Sequence, residues 1–349
     1  MGLSPDCSDQ RILQYVCSKT VGCLRLDCTH SQDLINYCAM QFIHGIHNLH
    51  PIHRPSVVSI GNYDGVHLGH QSLIKSLLEK SSELGVPSTV ITFEPLAKEF
   101  FQPGSVALLS SVEQRAEQLF SLGVDQVLCI DFNHEFAAYS PNKFVHDVLL
   151  AGLGVKYLCV GDDFCFGKDR QGDFNLLTSM GREHSFSVTA HETFTLGGTR
   201  VSSGRVREAL SNGDFGLAEN LLGRAYSIAG IVRKGQQLGR TLNFPTANIV
   251  LDSAQTAVQG VYAVKVAGLA DWVLDGVANV GTRPTVDGKE NRLEVHLFDF
   301  DSDIYGVDID VSFHCKLRSE QKFDSLDALK AQIQLDSDSA REYFRKEAE

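Results

Sequence analysis

Two histidines and three glycines fall within one stretch of ten residues, 61–70. His67 and His70 are three positions apart, so a single helical turn would bring both imidazoles to the same side. The glycines allow the backbone to approach a ligand closely. Imidazoles beside backbone N–H groups suit phosphoryl oxygens whose negative charge grows in a transition state. The stretch therefore predicts a site for a polyphosphate.

The elements on either side would place this stretch at the end of a strand. An apolar run at 57–60 predicts a buried strand, and leucine and isoleucine at helical spacing predict a helix over 71–84. Free N–H groups and the positive end of the helix dipole would then face an anion. Two alternatives stay open. The histidines could bind a metal, although the sequence has no HExxH motif and no cysteine near the pair. The turn could also be purely structural.

Two further stretches of the first half could bind a nucleotide or a flat heterocycle. Residues 161–173 follow a strand-like run and mix aromatic, acidic and basic side chains, although a solvated surface loop is equally compatible. Residues 200–207 open a helix that Ser202 or Ser203 can cap, with Arg207 about one turn on, where it could grip a phosphate. An ordinary capped helix with surface arginines is the alternative there.

In the second half, one polar loop and one acid stand out. Residues 235–248 combine bases, hydroxyls and an amide, and Thr246 and Asn248 offer the hard oxygens that suit Mg²⁺ held together with phosphates. A polar turn set by Pro245 is the other interpretation. Glu294 lies mid-strand in an otherwise apolar frame, which would fix the position of a base, although an outward-facing Glu on a strand is usually solvated.

The order of the predicted elements defines two parts. Over 55–210, strands alternate with helices, which predicts an α/β domain with a doubly wound parallel sheet and helices on both faces. Residues 211–223 predict a helical connector. Over 224–349, short strands without intervening helices predict an antiparallel barrel or sandwich. We expect the barrel, followed by a terminal helix that begins near Ser325.

Composition limits the kind of function. The net charge of −12 argues against general binding to nucleic acid or to an anionic membrane, so a nucleotide substrate would need local positive potential. No apolar run reaches the ~18 residues that a membrane span needs. The nine cysteines are odd in number and form no CxxC pair, which favours a reducing cytoplasm. We therefore expect a cytoplasmic protein with small-molecule substrates, as a monomer or weak homo-oligomer.

The motifs of the first half together resemble a known enzyme family. Residues 61–70 resemble the GxFDGxHxGH signature of the FAD synthetase branch of HxGH nucleotidyltransferases, with Tyr63 where the family usually has Phe. Residues 161–173 resemble the GDDFxFGxxRxGD loop of that family. Residues 202–207 resemble its triphosphate-binding SSTxxR motif, with Gly204 in place of Thr, which removes one hydroxyl.

The second half resembles riboflavin kinases. Residues 235–248 resemble the GRxxxFPTANI motif, with Asn243 where many members have Gly. Further motifs match in the family's order at 260–263, 276–285, 293–297 and 318–323. From Met40 to about Phe344 the chain thus resembles the bifunctional bacterial riboflavin kinase/FAD synthetases. Because the resemblance begins at Met40, we expect Met40 to be the biological start and 1–39 to be an extension; a real but poorly ordered arm is the alternative.

The resemblance implies two reactions, with Mg²⁺ as the cofactor. Riboflavin and ATP would give FMN and ADP in a kinase domain at 224–349, and FMN and ATP would give FAD and pyrophosphate in a synthetase domain at 55–210. One rival is an adenylyltransferase whose barrel only binds flavin, which the intact kinase motifs disfavour. Another is a flavin-binding regulator without catalysis, which the retained His67, His70 and Glu294 disfavour.

The resemblance also implies a role for individual residues. For adenylyl transfer, His67 and His70 would be catalytic. ATP and its phosphates would be bound by Gly61, Asp64, Gly65, Ser202, Ser203 and Arg207, and the flavin or nucleotide by Asp162, Asp163, Phe164 and Phe166. In the kinase, Glu294 would take the proton of the 5′-hydroxyl. ATP would be bound there by Gly235, Gly239, Arg240, Thr246 and Asn248, the last two also holding Mg²⁺, and flavin by Arg318 and Phe323.

Overall fold

The computed structural model describes residues 40–234, 244–251, 256–269, 272–285 and 288–348. These residues form two compact units, one with the chain as far as Gln102 and Ser110–Val201, the other with Pro103–Leu109 and the chain from Ser202 onward. The predicted N-terminal extension lies outside the described residues, and so do the predicted kinase residues Gly235, Gly239 and Arg240. The predicted domain limits at 55–210, 211–223 and 224–349 stay predictions.

The first unit contains a parallel sheet of six strands. The strands are β1 (Gln41–His44), β2 (Ser56–Ile60), β3 (Ser88–Glu94), β4 (Gln126–Asp131), β5 (Val155–Gly161) and β6 (Ser187–His191). Their order across the sheet is β1-β4-β3-β2-β5-β6, with every pairing parallel. From β2 the chain proceeds outward through β3 to β4, and it then returns to β5 on the other side of β2. The direction of winding therefore reverses between β2 and β5, and ligands of such sheets bind beyond the carboxyl ends of the strands at this point.

Helices cover both faces of this sheet. They are α1 (Leu68–Leu84), α2 (Ala97–Phe101), α3 (Val112–Ser121), α4 (His134–Ala137), α5 (Pro141–Phe144, continued as a π-helix over Val145–Gly152) and α6 (Phe174–His184). Short 3₁₀ turns occur at Ile46–Asn48, Pro51–His53 and Lys168–Arg170, and a small hairpin consists of β7 (Thr195–Leu196) and β8 (Thr199–Arg200).

Side chains of β2 alternate between two separate apolar cores. Val57 packs with residues of α1 and α3, whereas Val58 packs with residues of α5 and α6. Because successive side chains of a strand point to opposite faces, a strand buried on both faces needs apolar residues at successive positions. The structure thus confirms the predicted doubly wound parallel sheet with helices on both faces.

The second unit is a nearly closed antiparallel barrel with a terminal helix, as predicted. Its strands are β9 (Ser227–Ile231), β10 (Ala247–Leu251), β11 (Gly260–Ala267), β12 (Leu274–Thr285), β13 (Gly288–Leu297) and β14 (Asp308–Arg318), and its helices are α7 (Ser203–Ser211), α8 (Phe215–Leu222) and α9 (Leu326–Ala348). The strand order is β10-β13-β12-β11-β14-β9, and within the described residues a bridge between Arg233 and Asn248 joins the two edges. Ala340 and Phe344 of α9 pack against the barrel wall beside Val261 and Val277.

Several local signals in the sequence correspond to the observed helix ends. Ser111 caps α3 by accepting a hydrogen bond from the Gln114 N–H, and Ser140 caps α5 in the same way from Lys143. One segment differs from expectation: Asn248, which we assigned to a polar loop, lies in β10, where it pairs with Glu294 of β13. Among the described residues, no helix combines the length and the apolar character of a membrane span.

Candidate active sites

The histidine turn follows β2 at the point where the sheet reverses its winding. Its backbone folds tightly, with positive φ angles at Tyr63 (49°), Gly65 (79°) and Val66 (39°). His67 caps α1, because its Nδ1 accepts a hydrogen bond from the His70 N–H at 3.3 Å. Since Nδ1 is the acceptor, a neutral His67 ring carries its proton on Nε2. A side chain at Gly69 would approach the His67 ring to 3.2 Å, so glycine makes room for this cap.

The two imidazoles lie directly on each other. The ring centroids of His67 and His70 are 3.7 Å apart and the rings are inclined by only 13°. Burial holds the pKa of His70 well below its usual value, and the neighbouring His67 and Arg115 lower it further. His70 is therefore neutral near pH 7 and can offer an N–H donor, but it cannot act as a cation.

Tyr63 gains a hydrogen bond that phenylalanine could not make. Its hydroxyl lies 2.6 Å from the Ser59 hydroxyl, and Ser59 donates to the Cys159 carbonyl of β5 at 2.7 Å. The Tyr63 ring also lies 5.0 Å from that of His70. Burial raises the pKa of Tyr63 well above its usual value, so the phenol stays protonated. Tyrosine in place of the family's usual phenylalanine therefore links the turn to β2 and β5.

Asp64 and Gly65 are held by a serine that the sequence analysis did not single out. The Asp64 carboxylate is buried and accepts from the backbone N–H of Ser110 at 3.2 Å and from its hydroxyl at 3.4 Å. The Gly65 N–H donates to the same hydroxyl at 3.1 Å. These contacts give both residues a role in shaping the turn, and their predicted role in ATP binding stays a prediction.

A fully buried arginine near the histidine turn was also missed. Arg115 of α3 is 0% exposed, and its Nη1 donates to Thr92 Oγ1 at 2.9 Å and to the Phe93 carbonyl at 3.2 Å. Among the described residues, its Nε and Nη2 have no hydrogen-bond partner, and Nη2 lies 4.0 Å from a Glu94 oxygen. A charge on the apolar stripe of an amphipathic helix was the sequence signal that could have identified it.

The loop after β5 lies at the same reversal point of the sheet. Asp162 accepts a hydrogen bond from Thr193 at 2.7 Å, and Asp163 forms an ion pair with Arg200 at 2.8 Å. Phe164 and Phe166 stack with centroids 5.7 Å apart. The structure thus brings the four predicted residues of this loop together beside the end of the strand.

Phe166 also belongs to a larger aromatic cluster that the sequence analysis did not predict. The cluster continues from Phe166 through contacts between ring centroids of 5.3 to 6.1 Å to Phe144, Phe136, Phe132, Phe93, Phe100 and Tyr139. Its members come from the end of β3, the segments after β4 and β5, three helices and the turn between α4 and α5, so no local pattern could have joined them. Aromatic faces of this kind can stack on a flat heterocycle.

The three residues of the SSTxxR-like motif lie in the second unit. Ser202 caps α7 by accepting a hydrogen bond from the Arg205 N–H at 3.3 Å, which confirms a capped helix start. Arg207 donates from Nε to the Ala107 carbonyl at 2.6 Å. Among the described residues, a Cβ added at Gly204 would have the Ser202 hydroxyl at 3.8 Å as its one neighbour within 4 Å, so the backbone leaves room for a β-carbon there. The triphosphate-binding role of Ser202, Ser203 and Arg207 stays a prediction.

Four predicted kinase residues line one cavity of about 280 Å³ in the barrel unit: Thr246, Glu294, Arg318 and Phe323. Leu329, Ile333 and Asp336 of α9 also line it, so the cavity lies between the barrel wall and the terminal helix. Glu294 is half-buried on β13, with Asn248 and Asn279 as its neighbours on the adjacent strands. It is therefore a cavity residue, in contrast to the solvated strand position that we weighed as its alternative.

Arg318 is held by an acid on the terminal helix. Its guanidinium makes three hydrogen bonds of 2.7 to 3.1 Å to the buried Asp336 carboxylate, and Gln332 donates to the same group at 2.9 Å. The guanidinium also lies 5.7 Å from the Phe323 ring. The ion pair between Arg318 and Asp336 thus connects this wall of the cavity to α9. The sequence around Asp336 did not indicate this role.

Thr246 and Asn248 fit the predicted Mg²⁺ site in part. The Asn248 amide group donates to the Thr246 carbonyl at 3.1 Å and lies 3.5 Å from its hydroxyl, so both side chains are close together with an amide oxygen left as acceptor. Among the described residues, no group of three or more His, Cys, Asp or Glu side chains could hold a metal ion. A metal bound here would therefore take most of its oxygens from nucleotide phosphates and water, as Mg²⁺ commonly does.

Comparison with known proteins matches both halves of the chain. The FAD synthetase family matches residues 49–205, and the riboflavin kinase family matches residues 222–344. The bifunctional riboflavin kinase/FMN adenylyltransferase of Escherichia coli (strain K12) is 47% identical over 307 residues, covering 87% of this chain and 98% of the relative. The corresponding protein of Pseudomonas fluorescens is 49% identical over 304 residues, covering 86% and 97%. A crystal structure of a macrolide-efflux protein from Streptococcus pneumoniae is similar with a TM-score of 0.71 at 28% identity, covering 87% of this chain and 99% of that one.

Proposed function

We infer the activity of this chain from the premise that it belongs to the family of bifunctional riboflavin kinase/FMN adenylyltransferases. The chain phosphorylates riboflavin with ATP to give FMN, and it adenylylates FMN with ATP to give FAD and pyrophosphate. The observation that carries this conclusion is the match of one family to each half of the chain. Chromatography of the products formed from riboflavin and Mg-ATP, with FMN and FAD scored separately, tests it.

For riboflavin phosphorylation, we propose that Glu294 is the general base. The 5′-hydroxyl oxygen of riboflavin would bond to the γ-phosphorus of ATP as the bond to the leaving ADP breaks, and the hydroxyl proton would pass to the Glu294 carboxylate. The half-buried position of Glu294 in the cavity supports this role, because a fixed carboxylate is a better base than a mobile one. Such a base contributes roughly 10²–10⁴-fold.

Thr246 and Asn248 would position the nucleotide in this reaction. Mg²⁺, when bound with ATP, neutralises charge on the phosphates. We propose that the oxygens of Thr246 and Asn248 hold it, and that the predicted ATP-binding residues Gly235, Gly239 and Arg240 also bind the nucleotide. The wall formed by Arg318, Phe323 and the residues of α9 would enclose the flavin ring.

For adenylyl transfer, we propose that a phosphate oxygen of FMN attacks the α-phosphorus of ATP and that pyrophosphate leaves in line. His67 and His70 would donate hydrogen bonds from their neutral rings to the phosphoryl oxygens as negative charge develops there. Ser202, Ser203 and Arg207 would bind the triphosphate. No covalent intermediate on the protein is needed.

The aromatic cluster next to the loop after β5 supports a site for the flavin ring. The stacked Phe164 and Phe166 continue into that cluster, and aromatic faces stack on flat heterocycles at little entropic cost. We propose that the isoalloxazine ring of FMN lies against it, with Asp162 and Asp163 shaping the loop that frames the ring.

We further propose that the protein works with Mg²⁺ in the cytoplasm, as a monomer or weak homo-oligomer, and without nucleic-acid partners. The four cysteines within the described residues are all free thiols, which fits a reducing compartment. The net charge of −12 opposes binding to polyanions. Size-exclusion chromatography with light scattering, and activity in the presence of a chelator, test these proposals.

A further inference from the structure

His296 lies beside Glu294 in the kinase cavity. The two residues are two positions apart on β13, so their side chains emerge on the same face of the strand, and both line the cavity. The sequence analysis gave His296 no role, and the mechanism above does not use it.

The ring of His296 holds the segment that leads into β10. Its Nδ1 lies 2.9 Å from the Pro245 carbonyl oxygen. A carbonyl oxygen can only accept, so Nδ1 carries the proton and donates it to this bond. The ring also makes edge contacts with Phe244 at 5.3 Å and with Phe298 at 5.9 Å between centroids. These rings leave the imidazole little freedom to rotate.

The hydrogen bond between His296 and Pro245 lies just beyond the last paired residues of β10 and β13. The pairing of β10 with β13 begins with Ala247 opposite Val295, and the position opposite His296 would be Thr246. Pro245 has no N–H with which to extend the ladder. The His296 side chain therefore attaches the described residues before Ala247 to β13, and of Phe244, Pro245 and Thr246 it is Thr246 that both lines the cavity and offers a hydroxyl.

We propose that His296 is a positioning residue for the transfer of phosphate to riboflavin: its Nδ1–H clamps the Pro245 carbonyl and so fixes the Thr246 hydroxyl relative to the Glu294 carboxylate. This inference rests on the proposed kinase roles of Thr246 and Glu294. A displacement of about 1 Å at such a group can cost ~10²-fold in rate. The loss of this one contact can therefore lower the rate of phosphate transfer measurably.

Two replacements in the full chain separate the hydrogen bond from the packing. His296→Phe keeps an aromatic ring between Phe244 and Phe298 but loses the donor, whereas His296→Asn keeps an N–H close to the place of Nδ1. We expect His296→Phe to lower kcat for FMN formation by roughly 10–100-fold and to raise the KM for Mg-ATP more than the KM for riboflavin. His296→Asn should keep most of the wild-type kcat.

Internal controls keep the outcome interpretable. Conversion of supplied FMN to FAD and the melting temperature should stay unchanged in both variants. If His296→Phe fails to fold, His296→Leu replaces it, because leucine also lacks a donor and keeps an apolar side chain beside Phe244 and Phe298. Equal rates in the donor-free and donor-keeping variants, whether both normal or both impaired, would overturn the proposal.

A double-mutant cycle then tests the route through Thr246. The losses caused by Thr246→Val and by His296→Phe should not multiply, because both act on the same hydroxyl. Fully multiplicative losses would also overturn the proposal. Failure of the underlying function looks different: wild-type protein that forms no FMN, or Glu294→Gln that forms it normally, would remove the assigned kinase roles themselves.

Discussion

The histidine pair gains its chemical character from its immediate surroundings. His67 is locked as an N-cap with its proton on the outer nitrogen, and His70 lies against it in a buried position. Two imidazolium rings could not stack at 3.7 Å without strong repulsion. The pair therefore supplies oriented, neutral hydrogen-bond donors to the negative charge that develops in the transition state. Any positive charge beside the phosphates must come from other groups.

The lowered pKa of His70 predicts how FAD formation depends on pH. Because the neutral ring is the working form, kcat/KM for FMN should stay nearly level between about pH 6.5 and 8.5, where an imidazolium donor would lose tenfold per pH unit. Stability should move in the opposite direction from that of a protonated histidine held in a salt bridge, whose stabilisation is lost as the pH rises. The unfolded chain binds more protons at His70 than the folded chain below about pH 6.5, so the free energy of unfolding falls as the pH falls through that range. A steep fall of kcat/KM with rising pH would contradict the neutral assignment.

Removing His70 should separate the two reactions. His70→Ala is expected to lower FAD formation by roughly 10²–10³-fold, the usual cost of losing one transition-state donor. FMN should still accumulate from riboflavin, because the kinase residues lie in the other unit. Quantifying both flavins over time checks this, and FAD synthesis at the wild-type rate would exclude the histidine pair from the mechanism.

At the scale of elements, the parallel sheet places the turn and the loop that follow β2 and β5 side by side. The sequence identified these strands, the capped helices and both loops, because periodicity and capping are local signals. It could not identify Asp336 or the aromatic cluster, since their importance depends on what lies opposite them in the fold. For Arg115 the charge on the apolar stripe of α3 was a local signal, and only its partners depend on the fold. Asn248 was placed in a loop because a polar residue after proline resembles a turn, whereas pairing with β13 makes it part of a strand.

The bond between Tyr63 and Ser59 should stabilise the strand-to-turn junction. Tyr63→Phe is expected to reduce the free energy of unfolding by about 0.5–1.5 kcal/mol, because Ser59 keeps its bond to the Cys159 carbonyl. Ser59→Ala should cost more, about 1–3 kcal/mol, because it leaves the buried Tyr63 hydroxyl without its acceptor. Denaturant unfolding of both variants measures the difference. The reverse order of the two losses would show that the hydroxyl pair does not hold the junction.

At the scale of the whole molecule, the ordered motifs predicted both activities, and the two compact units add contacts that the motifs do not indicate. The compact barrel unit also includes α7, α8 and the segment Pro103–Leu109, in which Leu108 forms a bridge with Thr256. Sequence patterns cannot show that a short segment leaves one unit to join another, because this requires contacts distant in the chain.

A fragment with residues 202–349 should therefore phosphorylate riboflavin but form no FAD. It retains α7, α8, the barrel and α9, and it loses the segment Pro103–Leu109, which supplies the Leu108 bridge and the Ala107 carbonyl that accepts a hydrogen bond from Arg207. We expect a lower melting temperature than that of the barrel in the full chain, with kcat for FMN formation largely kept. A fragment that is folded by circular dichroism and yet inert would show that the kinase needs the rest of the chain.

The most direct test of the account is Glu294→Gln in the full chain, assayed separately with riboflavin and with FMN. The amide keeps the shape of the side chain but cannot take the hydroxyl proton, so FMN formation should fall by roughly 10²–10⁴-fold. Conversion of supplied FMN to FAD should continue at the wild-type rate. Asp301→Asn, which neutralises an exposed acid of the same unit, serves as the matched control and should leave both rates unchanged. FMN formation at the wild-type rate in Glu294→Gln would contradict the assignment of the base, and loss of both activities in a folded variant would contradict the independence of the two sites.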